Sequence, residues 1–244
     1  MEECIRFDHV TKRYGDLTVL KDLSLTIESG EFLTIIGRSG CGKTTALRLI
    51  NGLLTPEEGS VFVNGRDVAQ TDLIALRREI GYAIQGVGLF PHMTVAKNIA
   101  YVPSLSRKWS RQELQEKIPH LLEIVGLDPQ LGSRYPRELS GGQRQRVGIA
   151  RALAADPRIL LMDEPFGAVD EITRRSLQKE ILRLQQELGI TIVFITHDIK
   201  EALALGSRVL IMEDGQIAQL DTPENIRAHP KDDFVRSLIF GQDD

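Results

Sequence analysis

The sequence predicts an α/β fold with a mostly parallel sheet, an N-terminal antiparallel β subdomain and an inserted helical subdomain. Three observations carry this. Continuous apolar runs of strand length recur along the chain, the longest being Ile159–Met162 and Ile190–Ile195. From Arg158 onward such runs alternate with amphipathic helical segments, the pattern of a parallel sheet covered on both faces. Between about Leu89 and Ala155 no convincing strand is written at all.

The first third reads mostly as β. Ile5–Val10, Leu23–Glu28 and Phe32–Ile36 are short apolar or alternating runs, and Asn64-Gly65 is a hairpin signal after Val61-Phe62-Val63. A helix opens after Gly42, with Ala46, Leu47, Leu49, Ile50 and Leu53 on one face. The middle holds helical patterns near 95–101, 111–125 and 142–155, punctuated by Pro91, Pro103, Pro119, Pro129 and Pro136, which are expected to break them. Beyond it the spacing predicts strand 158–162, helix 171–188, strand 190–195, helix 198–205 and strand 207–213. In the longer helix Leu177, Ile181, Leu184 and Leu188 form an apolar stripe. Asp214-Gly215 is a second hairpin turn, and Thr222-Pro223 is an N-cap followed by proline at the first helical position.

Composition narrows the function classes. The chain has 244 residues, 42% of them hydrophobic and 26% charged, which is ordinary for a globular protein able to bury a full core. A net charge of −4 argues against a nucleic-acid binder that works by bulk charge. The two cysteines, Cys4 and Cys41, offer no disulfide framework. No run approaches the ~18 apolar residues of a membrane helix, and Met-Glu-Glu-Cys does not open like a secretory signal. The expectation is a soluble cytosolic chain with no nucleic-acid partner.

One motif carries chemistry by itself. Gly37-Arg38-Ser39-Gly40-Cys41-Gly42-Lys43-Thr44 fits G-x-x-x-x-G-K-[ST], between a buried strand and an amphipathic helix. Glycines let backbone N–H groups turn around phosphate oxygens, and the helix N-terminus adds partial positive charge. Lys43 is then placed for the β- and γ-phosphates and the Thr44 hydroxyl for Mg²⁺. Asp163 ends the apolar run Ile159–Met162, at the strand end where ligands sit in α/β sheets, so it can hold Mg²⁺. Glu164, one residue on, points differently and can polarise an attacking water. Ser140 and Gln143 form an S-x-x-Q capping box at the head of a helix. With Gly141 and Gly142 they open a helix whose free N–H groups suit an anion.

Taken together, the phosphate loop, the Asp163-Glu164 pair and Leu139-Ser140-Gly141-Gly142-Gln143 resemble the ABC-type ATPases, the nucleotide-binding subunits of ATP-binding cassette transporters, over nearly the whole chain. The resemblance implies a P-loop NTPase fold in one domain, 1–244. Its catalytic core with β subdomain would be 1–88 and 156–220, its helical subdomain 89–155 and its C-terminal helical tail 221–244. It implies ATP and Mg²⁺ as cofactors and ATP hydrolysis coupled to solute transport. Residues 37–45, including Thr45, would surround the phosphates, with Tyr14 stacked on adenine. Thr44, Gln85 and Asp163 would serve the metal. Glu164 and His197, with Lys43 and Gln85, would act in hydrolysis. Residues Ser140, Gly141, Gly142 and Gln143 would face the γ-phosphate held by a second copy, and Asp170 would lie in a loop at that dimer interface.

Two positions depart from the family pattern. Gly167-Ala168-Val169-Asp170 stands where Ser-Ala-Leu-Asp is usual, which removes a hydroxyl. Arg38 stands where proline is usual, its side chain expected in solvent or near phosphate. Cys41 lies inside the phosphate loop, so a thiol label there is expected to block nucleotide.

The stretch Arg77–Val95 with Asn98–Pro103 looks like that of osmoprotectant importers for glycine betaine, carnitine or choline. That implies transmembrane permease subunits docked near Gln85 and the helical subdomain, an extracytoplasmic solute-binding protein acting indirectly, and a place at the cytoplasmic face of the membrane. An importer for another small solute such as an amino acid, or a soluble ATPase of iron–sulfur-cluster assembly, are the alternatives. Many osmoprotectant ATPases carry paired C-terminal CBS modules, and residues 1–244 contain none, which predicts no ionic-strength sensing through them.

Overall fold

The computed structural model describes residues 2–84, 88–105 and 109–241. It divides into two compact units, 1–76 with 191–244, and 77–190.

The first unit begins with two long antiparallel strands, β1 (Glu3–Tyr14) and β2 (Leu17–Glu28). Both outrun the apolar segments that predict them. Register shifts at several points of their pairing let the strands bend and continue past the regular alternation. Next come β3 (Phe32–Gly37), the phosphate loop and α1 (Lys43–Ile50). Ala46, Leu47, Leu49 and Ile50 are buried as the spacing predicts. Leu53 is not part of that face. The helix ends at the Asn51 cap, and the Leu53 amide bonds to the Arg48 carbonyl at 2.9 Å, leaving the side chain 49% exposed. The hairpin β4 (Glu58–Val63) and β5 (Arg66–Asp67) turns at Asn64-Gly65 and completes a four-stranded antiparallel sheet in the order β2-β1-β4-β5. The unit boundary falls inside α2 (Leu73–Glu79), a helix the sequence reading did not foresee.

The second unit pairs β6 (Ile80–Ala83) in parallel with β7 (Ile159–Asp163). Between them run α3 (Val95–Ile99), α4 (Tyr101–Leu105), α5 (Arg111–Ile124) and α6 (Gly141–Leu153), and no strand among the described residues. Two prolines expected to break helices do not. Pro103 lies within α4 and Pro119 within α5. Proline removes one backbone donor, and α5 has others to spare over fourteen residues, with a Ser110/Glu113 capping box fixing its start. After β7 comes α7 (Glu171–Leu188), whose stripe Leu177, Ile181 and Leu184 is buried. Leu188, expected in that stripe, is 65% exposed at the last helical position, where Gly189 turns the chain away.

The chain returns to the first unit with β8 (Thr191–Ile195), α8 (Ile199–Leu205), β9 (Arg208–Glu213), β10 (Gln216–Asp221), α9 (Pro223–Ala228) and α10 (Asp233–Phe240). Strands β8, β3 and β9 are parallel neighbours, and β10 closes antiparallel on β9 through Asp214-Gly215. Every residue of β8 is buried. A separate apolar cluster of Ile36, Ala202, Val209, Ile211, Ile226 and Val235 seats α8, α9 and α10 on the sheet.

Candidate active site

The phosphate loop follows the C-terminal end of β3, in the first unit. Gly37, Gly40 and Gly42 all have positive φ. A side chain on Gly37 would collide with the Met212 carbonyl oxygen of the neighbouring strand, so glycine is required for the chain to leave the sheet here. Gly42 caps α1 with φ 102°, and no side chain caps the helix or places an acid in its first turn. The positive end of its dipole therefore faces the loop without a side-chain cap or a first-turn acid to offset it. The buried Lys43 threads back through the loop. Its Nζ donates to the Gly37 carbonyl at 2.7 Å and the Arg38 carbonyl at 3.0 Å, and lies 3.9 Å from Cys41 Sγ. Thr44 and Thr45 are half-buried, and Ser39 and Gly40 are exposed.

Cys41 is buried, and burial pushes its thiol above the ordinary value, against the opposing charge of Lys43. Burial and the raised thiol leave less of the reactive thiolate near neutrality. Arg38 is exposed, as expected, and its guanidinium lies 5.2 Å from the ring centre of Phe234 on α10. Tyr14 is 46% exposed at the end of β1, with the Lys12 ammonium 5.5 Å from its ring centre. His197 is exposed between β8 and α8.

The second unit holds the other candidates. Asp163 is the last residue of a wholly buried strand and is itself 3% exposed. Glu164 follows with φ 47°, a left-handed backbone that costs a residue with a side chain. Ser140 caps α6 as its sequence pattern requires. Gln143 N–H donates to Ser140 Oγ at 3.2 Å and Ser140 N–H to Gln143 Oε1 at 2.9 Å. Gly141 is open, whereas a Cβ on Gly142 would lie 2.8 Å from the Ala168 carbonyl oxygen. The start of α6 therefore sits directly against the Gly167–Asp170 turn. Asp170 caps α7 by accepting from Thr173 N–H at 3.0 Å, a bond that holds its carboxyl below the usual range. Gln85 lies outside the described residues.

Sequence reasoning missed Gln145. This side chain is 7% exposed, and its two ends bond different parts of one turn. Its Nε2 donates to the Glu164 carbonyl at 3.0 Å, and its Oε1 accepts from Ala168 N–H at 2.9 Å. A signal was present, since Gln145 falls in the buried i, i+4 row with Ile149 and Leu153, where a polar group needs partners. It also missed Asn98, fully buried, whose carboxamide gathers Phe90–Thr94. Its Oδ1 accepts from Phe90 N–H at 2.8 Å, and its Nδ2 donates to the carbonyls of Phe90, Met93 and Thr94 at 3.2, 3.1 and 3.0 Å.

Comparison with known proteins follows the same lines. The family model described as ABC transporter matches residues 20–167. The carnitine transport ATP-binding protein of Listeria monocytogenes is 52% identical over 236 residues, covering 96% of this chain and 59% of that protein. The choline transport ATP-binding protein of Bacillus subtilis is 48% identical, with 96% and 62% covered. The chain thus spans about six-tenths of the length of these relatives. The glycine betaine uptake system ATP-binding protein of Escherichia coli is 48% identical, with 98% of this chain and 77% of that protein covered. A solved dimeric ATP-binding cassette, in a post-hydrolysis state bound to ADP and Pi, superposes with a TM-score of 0.85 at 34% identity, over 90% of this chain and 98% of its own. A phosphate loop closed around Lys43, a buried Asp163 followed by Glu164, and a capped helix at Ser140 stand on an α/β scaffold of the same kind, and the chain belongs to the ABC transporter family.

Proposed function

We propose that this chain hydrolyses ATP to power an importer of quaternary-amine osmoprotectants, the class to which glycine betaine, carnitine and choline belong. The names of the similar proteins support the solute class. The observation that carries the ATP reading is Lys43 Nζ held by the Gly37 and Arg38 carbonyls at the uncapped start of α1. A phosphate arriving there meets an ammonium and the positive end of the α1 dipole together.

Each residue then has a chemical role. Residues 37–45 grip the phosphates and Tyr14 offers a ring to adenine. Thr44, Asp163 and Gln85 are proposed as the protein's ligands for Mg²⁺. This donor set fits that ion. Mg²⁺ in nucleotide sites takes one or two protein oxygens, phosphate oxygens and water, and the Asp163 carboxylate and Thr44 hydroxyl are hard oxygen donors of that kind. When bound, the ion neutralises charge on the β- and γ-phosphates. Glu164 orients and deprotonates the attacking water, and His197 contacts the γ-phosphate.

Two copies close on two nucleotides, each Ser140–Gln143 helix start facing the phosphate held by the other copy, as the dimeric cassette suggests by analogy. No helix among the described residues is long and apolar enough to cross a membrane, so the solute path is assigned to separate permease subunits. Their docking surface is placed at Phe90–Thr94, the segment gathered by Asn98, on the cytoplasmic face of the membrane. A solute-binding protein acts from the other side.

The test is Glu164→Gln. MgATP binding persists, hydrolysis falls by about 10²–10⁴-fold, and nucleotide traps a dimer on gel filtration. Turnover near the wild-type rate removes Glu164 from its role. Uptake of labelled glycine betaine, carnitine and choline by a strain lacking this chain tests the solute class. Unchanged uptake of all three rejects it.

A further inference from the structure

We infer that Gln145 is a positioning residue for hydrolysis, acting through Glu164. The inference rests on the reading of Glu164 as the base and extends it to a side chain outside the family's motifs used above.

The geometry is specific. Gln145 is the fifth residue of α6, two residues beyond the capping box, so the helix capped by Ser140 carries it on a rigid element. Its carboxamide spends both functional ends on one short turn of the chain, as donor to the Glu164 carbonyl and acceptor from the Ala168 amide. That turn starts at the strained backbone of Glu164, with φ 47°. A left-handed non-glycine residue persists only where its surroundings hold it. Its carbonyl accepts from Gln145 at 3.0 Å and, at the longer distance of 3.4 Å, from Gly167 N–H. The buried Phe166 and Val169 anchor the turn's apolar residues.

Removing the Gln145 bond lets the Glu164 backbone relax toward an ordinary conformation. The direction of a side chain follows its own φ and ψ, so the carboxylate is displaced. A displacement near 1 Å at a reacting group costs about 10²-fold. The same carboxamide joins the turn to α6, whose start lies so close to it that a Cβ on Gly142 would come within 2.8 Å of the Ala168 carbonyl oxygen. The helix start meant for one nucleotide and the carboxylate meant for another are thus tied by one side chain within a single copy. Movement of either is transmitted to the other.

The experiment uses the full chain and two variants. Gln145→Leu removes both bonds at similar volume. Gln145→Glu keeps the acceptor toward Ala168 N–H but sets a carboxylate oxygen against the Glu164 carbonyl. When the introduced carboxyl is protonated it can donate there as the carboxamide does. The expected result is a kcat about 10–100-fold below wild type for both variants near neutral pH, with KM and Kd for MgATP within about threefold. The ratio of Gln145→Glu activity to wild type should rise as pH falls. Circular dichroism and a thermal melt confirm folding at each pH. A merely structural role would lower kcat and binding alike and give no rescue by acid. Two outcomes overturn the inference, namely kcat within twofold of wild type in both variants, or loss without recovery of the Gln145→Glu ratio at low pH. Wild-type chain that fails to hydrolyse ATP in the same assay rejects the reading of the site instead.

Discussion

The guanidinium of Arg38 lies 5.2 Å from the ring centre of Phe234. The phosphate loop therefore sends its extra cation to α10 rather than toward the phosphates. Such contacts at exposed sites are worth about 0.5–1 kcal/mol, enough to bias one rotamer of a long side chain. Arg38→Ala should change the Kd for MgATP by no more than about threefold, roughly the Boltzmann weight of that contact. Lys43→Ala, which removes the ammonium from the loop itself, should weaken binding by at least about tenfold. Equilibrium titration with a fluorescent ATP analogue compares the two. Equal losses would place Arg38 on the phosphates after all.

Cys41 gives a second reading of the same loop. Burial raises its thiol and Lys43 works against that rise. The thiolate is the reactive form, so alkylation should be slow near neutrality and accelerate as pH climbs past the ordinary thiol value. Replacing Lys43 with methionine removes the opposing charge, so the rate at fixed pH should fall further. MgATP should protect. Site-resolved mass spectrometry separates Cys41 from the buried Cys4. Rapid, pH-independent labelling of Cys41 would show that its burial does not govern its chemistry.

Much of this arrangement is written locally. The bounds of α7 match those expected from its period, and the Ser140/Gln143 box closes as its four-residue pattern predicts. These features depend on side chains three or four residues apart. What escaped depends on distance along the chain. Gln145 reaches partners 19 and 23 residues away, and Arg38 reaches Phe234 across most of the sequence. Neither partnership leaves a periodic trace, although the place of Gln145 in the buried i, i+4 row with Ile149 and Leu153 marks it as needing partners. The lengths of β1 and β2 were missed because register shifts interrupt the alternation that marks a strand. Pro119 misled because a proline signal is read residue by residue, whereas helix stability is summed over the whole element.

Glu31 and Arg208 supply a test of stability against pH. Arg208 Nη1 sits 3.1 Å from Glu31 Oε1, and Glu28 N–H donates to Glu31 Oε2 at 2.8 Å. Burial still dominates and raises the Glu31 carboxyl above its ordinary value. A raised carboxyl binds its proton more tightly in the folded state. Its contribution is complete below the unfolded pKa and is lost as pH rises through the folded one. Arg208→Met removes a charge that lowers the Glu31 pKa, so it deepens the loss on the alkaline side. Urea denaturation should show the variant about 1–3 kcal/mol less stable near neutral pH, less than a fully buried pair because Arg208 is partly exposed. The deficit should shrink as pH falls through the Glu31 titration. A deficit that stays constant with pH would assign the effect to packing of the arginine stem.

Gly141 separates the helix cap from the composite pocket. Its Cβ position is open, with Ala168 Cβ at 3.9 Å, so Gly141→Asp fits sterically. An acid at the first position of α6 favours the helix dipole and replaces a poor helix former. Stability should therefore hold or rise, in contrast to Ser140→Ala, which removes a cap and should cost about 1 kcal/mol. The same new carboxylate stands where the helix start is proposed to meet the γ-phosphate of the second copy. Turnover should fall by about 10²-fold, the scale of losing one preorganised anion contact. Lys43→Ala should be inactive for the opposite reason, since it spoils the loop and spares the helix. Mixing equal amounts of the two variants puts one intact loop against one intact helix start in half of all dimers. With free exchange and independent sites, about a quarter of wild-type turnover should return. Each variant alone stays inactive, so recovery can arise only from a pocket shared between copies. A mixture as inactive as its components, with dimers confirmed by light scattering, would mean that loop and helix act within one copy or not on one nucleotide.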